Sequence, residues 1–92
     1  MRASGNFILR EIAGEYLLVP TGAAAASMNG LVTMNELGCF IFKALAREQT
    51  EETLLQAILA EYDVQREEAL ADLREYLQQL RQLGALVEAA HD

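Results

Sequence analysis

Leu31-Val32-Thr33-Met34-Asn35-Glu36-Leu37-Gly38-Cys39-Phe40-Ile41 is the stretch on which the fold turns. Its opening residues are a short β-favouring run placed after Asn29-Gly30, a pair that marks a turn or bulge. From Asn35 onward the apolar period becomes 3.6. Leu37, Phe40, Ile41, Ala44 and Leu45 fall at i, i+3, i+4, i+7 and i+8, one stripe of an amphipathic helix. Thr33 followed by Glu36 has the spacing of a capping box, with Asn35 the alternative cap. Strands are therefore expected before this stretch and helices after it.

Upstream, Phe7 to Ile12 and Glu15 to Pro20 are β-branched and aromatic-rich runs separated by Ala13-Gly14, the length of a two-residue hairpin loop. Pro20-Thr21-Gly22 closes the second run, because proline cannot donate to a ladder. The small residues Ala23 to Ser27 read as a connection. Downstream, Gln49-Thr50 opens a second helix with Glu51 and Glu52 in its first turn, and Leu54, Leu55, Ile58, Leu59 and Tyr62 form its apolar face. A third helix runs from Arg66 to Leu83 and stops at Gly84, a residue suited to a left-handed C-cap. Ala85-Leu86-Val87 is a final strand or an extended tail. The expected order is β-β-β-α-α-α, with strands at about 7–12, 15–20 and 30–33 and helices at about 35–47, 50–62 and 66–83. This is an α+β, winged helix-turn-helix-like arrangement in which a three-stranded antiparallel sheet precedes three helices.

Composition bounds what such a chain can do. Ninety-two residues make one domain, expected over 1–92, and 52% hydrophobic residues against 23% charged suffice for a packed core. Fourteen acidic residues against seven basic give a net charge of -7, which disfavours a generic binder of nucleic acid or anionic membrane. Cys39 and His91, the single cysteine and histidine, build neither a disulfide framework nor the usual zinc site. No run approaches the length of a bilayer span, and Met1 to Asn6 lacks the apolar stretch of a secretory signal. A cytoplasmic setting is the expectation. Cys39 lies mid-helix beside Phe40-Ile41-Phe42 and reads as a buried, inert thiol. The paired glutamates at 51–52 and 67–68 read as partners of helix dipoles. The chain is expected to be neither an enzyme nor a holder of a metal or cofactor.

Two places carry more information. At 100° per residue, Ala69, Leu73, Tyr76, Leu80 and Leu83 share a stripe about 80° wide, the expected core face of the third helix. Beside it Arg66, Leu70, Arg74, Leu77 and Arg81 form a second stripe of basic and apolar residues, while Glu67, Glu68, Asp72, Glu75, Gln78, Gln79 and Gln82 hold the remainder. Arginine stems covering an apolar flank are one account of the second stripe. A groove wall with leucine pockets and guanidinium groups for the carboxylates of an extended peptide is the other. The third strand is the second place. It ends the meander with no fourth strand beside it, and such an edge either offers its main chain to another chain or is covered.

At this point a resemblance becomes visible. Tyr16-Leu17-Leu18-Val19-Pro20-Thr21-Gly22, Met28 to Gly38, Phe40 to Leu45, Glu61-Tyr62-Asp63-Val64, Ala71-Asp72-Leu73, Tyr76-Leu77, Leu80 and Leu83-Gly84-Ala85-Leu86 together resemble the PqqD-like family in order and spacing. The resemblance covers roughly residues 7 to 88. It departs at Phe42, where many relatives carry tryptophan, and in the alanine-rich 23–27 segment. Members of that family are RiPP recognition elements, small winged-helix-like domains that hold the leader of a ribosomally made precursor peptide for a modifying enzyme. The resemblance implies a leader added to the third strand and lying against the third helix. It implicates Leu31, Val32 and Thr33 on the strand, and Leu70, Leu73, Arg74, Leu77 and Arg81 on the helix. A precursor peptide leader is the implied partner, with a modifying enzyme of radical SAM or cyclising type beside it. The rival readings are a winged-helix DNA binder and a plain dimerisation module in which a second copy takes the strand edge. Against DNA, the segment 48–68 carries seven acidic residues and one basic.

Overall fold

The hairpin forms where its loop chemistry allows it. In the computed structural model, which describes residues 1–22 and 32–88, β1 spans Arg2–Ala3, β2 Phe7–Ile12 and β3 Glu15–Pro20. Ile12 pairs with Glu15, so Ala13 and Gly14 are the whole loop, and both have positive φ, 54° and 82°. That is the backbone twist a two-residue turn needs to match right-handed strands. Then follow β4 (Val32–Met34), α1 (Glu36–Ala44), α2 (Glu51–Glu61), α3 (Arg66–Leu83) and β5 (Leu86–Val87). β2, β3 and β4 form one antiparallel sheet in that order, with Tyr16 opposite Met34, Leu17 opposite Thr33 and Leu18 opposite Val32. The three-stranded sheet followed by three helices is the expected architecture.

The differences are local. β4 runs to Met34, and positions 30 and 31 of the expected strand lie outside the described residues, as does the 23–27 segment. α1 starts on Asn35, whose side chain accepts the Gly38 N–H at 2.8 Å, so the cap is Asn35. The helix ends at Ala44, with Leu45 as its C-cap, three residues before the expected stop at 47. Thr50 and Thr53 exchange side-chain-to-backbone bonds at the start of α2. Gly84 closes α3 with φ of 76°.

β1 and β5 form a separate two-stranded ribbon that the sequence did not foretell on the N-terminal side. The Ala3 and Ser4 N–H groups donate to Leu45 and Ala85, both at 2.9 Å, and tie the ribbon to the ends of α1 and α3. Phe7, Leu18 and Met34 from the sheet's inner face meet Ile41, Phe42 and Leu45 of α1 and its cap, Leu54, Leu55 and Ile58 of α2, and four residues of α3 in one core. Phe42, where the resemblance departs from the family, is part of it. Cys39 is buried too. No described helix is long and apolar enough to cross a membrane.

Candidate functional site

The site begins with the helix faces. The buried residues of α3 are Ala69, Leu73, Leu77 and Leu80, which at 100° per residue span about 80°. Leu77 was expected on the arginine stripe and is instead 1% exposed, inside the core. Tyr76 and Leu83, expected in the core, are only half-buried at its edge. The core stripe is thus rotated toward α2, which packs along that flank. Tyr76 and Leu83 are released to the opposite flank, which faces β4.

There a cleft opens. One part, about 590 Å³, is walled by Thr33, Met34, Asn35 and Leu37 on one side and by Asp72, Glu75, Tyr76 and Gln79 of α3 on the other. A second part, about 430 Å³, is walled by Val32 and Thr33 against Gln79, Gln82 and Leu83. Thr33 and Gln79 belong to both, so the two make one channel along β4. Among the described residues β4 pairs only with β3, which leaves its other edge unpaired on the sheet's margin.

Tyr76 is held in the channel wall from the start of α1. Its hydroxyl donates to the Asn35 Oδ1 that also caps α1, so one oxygen ties the start of α1 to the middle of α3. The ring lies over Gly38 so closely that a Cβ there would stand 2.5 Å from Cε1. Only glycine allows that approach. Burial pushes the Tyr76 phenol above its ordinary value.

Electrostatics divide α3 in two. On the α2 side, Arg74 donates from Nε and an Nη nitrogen to both oxygens of Glu51 at 3.0 Å, and Arg66 meets Glu52 at 3.2 Å. Near the helix end Arg81 meets Glu88 at 2.7 Å. The hydrogen bond from Arg74 holds the Glu51 carboxyl below its ordinary value, and bonds from Gln56 and then Arg66 do so for Glu52. On the channel side stand Asp72 and Glu75, and no described basic group pairs with either.

The residues singled out from sequence therefore separate. Val32 and Thr33 line the channel; Leu31 lies outside the described residues. Leu73 and Leu77 are core residues behind its wall. Leu70 is half-buried, and Arg74 and Arg81 point their charges to Glu51 and Glu88; none of the three lines the channel. The physical reason is that periodicity reports which residues are apolar and not which neighbour each flank meets. Sequence reasoning missed Asn35, Tyr76, Gln79 and Leu83 as wall residues. Tyr76 carried a usable signal, a polar tip inside an apolar stripe.

Residues 7–86 match the family model described as coenzyme PQQ synthesis protein D (PqqD). Among solved structures, TbiB1 in complex with the TbiA(beta) leader peptide is similar at a TM-score of 0.75 and 25% sequence identity, over 99% of this chain and 100% of that one. No curated protein matches the sequence significantly.

Proposed function

Because this chain belongs to the PqqD family, we propose that it is a RiPP recognition element that binds the leader of a ribosomally synthesised precursor peptide and presents it to a modifying enzyme, without catalysing a reaction itself. The leader adds as an antiparallel or parallel strand to the free edge of β4 and lies in the channel against α3. The observation that carries this is a β4 edge that no described strand pairs with, running beside a channel, in a fold similar throughout to a protein solved with a leader peptide.

Main-chain hydrogen bonds to β4 supply affinity that tolerates sequence variation, and side-chain pockets supply choice. Leu37, Leu83, Val32 and the Tyr76 ring offer the apolar contacts, each worth about 25 cal/mol per Å² of apolar surface covered. Holding the leader raises the effective concentration of the attached core peptide at the enzyme. A catalyst of radical SAM or cyclising type is the enzyme partner that fits such a carrier. Val32 and Thr33, with Leu31 before them, are the strand contacts; Leu73 and Leu77 act from behind by fixing α3. Pairing of Arg66, Arg74 and Arg81 with carboxylates engages the three cations of α3, the helix a DNA-binding reading would use.

Titration with leader peptides from precursor genes adjacent to this chain's own gene tests the assignment. Binding with Kd in the micromolar range or tighter, about -8 kcal/mol, is the expected result. Failure of every adjacent leader to bind overturns it.

A further inference from the structure

The charges of α3 are sorted about its axis, and the sorting leaves one sign in the channel. All seven lysines and arginines of the chain lie within the described residues. The three on α3 are held on the side away from β4, by Glu51, Glu52 and Glu88. On the channel side, Asp72 and Glu75 are exposed, paired with no described basic group, and one helical turn apart on the same wall, followed by the amides of Gln79 and Gln82. Among the described residues no basic side chain lines the channel. The segment 23–31 that leads into β4 contains no charged residue to neutralise them.

We infer that the peptide strand taken up beside β4 is basic: it carries lysine or arginine at the position facing Asp72 and Glu75, and excludes aspartate and glutamate there. This rests on the proposed strand addition and names the class of peptide that it accepts. Complementary charge across an interface acts chiefly on choice of partner and on association rate, and like charges brought together are penalised. An acidic side chain placed there would face two carboxylates with no cation in the channel to offset them. A lysine or arginine would instead complete two ion pairs, and an extended strand brings alternate side chains to the same wall. The arginine stripe that sequence reading set against an acidic peptide is already neutralised, and it faces elsewhere.

The test is selection of random 12-residue peptides displayed on phage against the full chain, followed by solution binding of one selected peptide. Lysine and arginine are expected to outnumber aspartate and glutamate among the selected peptides. Replacing the enriched basic residue by glutamate should weaken binding about tenfold at low salt, the sum of two surface ion pairs lost and two repulsions made. That ratio should fall to about twofold or less on Asp72→Asn/Glu75→Gln, and stay near tenfold on Glu61→Gln/Glu67→Gln, which removes the same two negative charges away from the channel. Selected peptides that shift the Val32–Met34 amides in NMR spectra yet are neutral or acidic overturn the charge inference alone. So does an equal ratio on both double variants, which would assign the preference to overall charge. Peptides that bind without touching Val32–Met34, or a selection with no enrichment, overturn the strand-addition reading beneath it.

Discussion

Asn35 has one side-chain oxygen serving two donors, the Gly38 N–H at the start of α1 and the Tyr76 hydroxyl of α3. Replacing it with alanine removes a helix cap, about 1 kcal/mol, and the acceptor of the exposed Tyr76 hydroxyl bond, about 1 kcal/mol more. Asn35→Ala should therefore lower unfolding free energy in urea by about 2 kcal/mol, about twice what an isolated cap costs. Gly38 makes a sharper case. In a helix, glycine to alanine ordinarily stabilises by about 1 kcal/mol, but here the new methyl would meet Cε1 and Cζ of Tyr76 at 2.5 and 2.8 Å. The ring is anchored there by its hydrogen bond to Asn35, so Gly38→Ala should push the ring into the channel, break that bond and destabilise, by about 1–3 kcal/mol. Equilibrium unfolding gives the sign. Combining it with Tyr76→Ala should restore the helix preference and make the double variant more stable than additivity predicts. Asn35 was legible in the sequence as a possible cap; its second duty was not, because nothing local ties residue 35 to residue 76.

At the scale of elements, α3 decides how the molecule divides its surface. Its C-terminal stop at Gly84 and its 18 residues were readable from composition and period. The assignment of its flanks was not. Leu77 and Tyr76 are neighbours in sequence, about 100° apart on the helix, and periodicity alone placed each on the wrong side of the core boundary. What settles the matter is α2, whose Glu51 and Glu52 reach the arginines from the far flank. The Arg74–Glu51 pair is exposed, so a double-mutant cycle with alanine should give a coupling below about 1 kcal/mol. Glu51 binds its proton less readily in the folded chain than in the unfolded one. Its contribution is therefore present above the ordinary carboxylate value and is lost as pH falls through the lowered folded value. The coupling should vanish across that acidic window and shrink in salt. Arg74→Ala should change peptide affinity by less than about twofold, measured by fluorescence anisotropy; a larger loss would place the peptide on the α2 flank.

For the whole molecule, the order of strands and helices followed from alternation, turn residues and caps that agree with one another. The β1–β5 ribbon did not, because two-residue strands carry no period and their pairing depends on Leu45 and Ala85 being near in space. The net charge of -7 is unevenly distributed around α3: Glu51, Glu52 and Glu88 pair with its three arginines, and Asp72 and Glu75 remain in the channel. The central claim is that an extended leader completes the sheet at β4. Amide hydrogen exchange read by NMR, with and without a bound leader peptide, tests this most directly. The account predicts new protection within Val32–Met34 and shift changes confined to β4, the start of α1 and the Asp72–Leu83 side of α3. Unchanged β4 amides, with the response gathered around Arg74 and Glu51 or on the outer sheet face at Ile8 and Ile12, would contradict it.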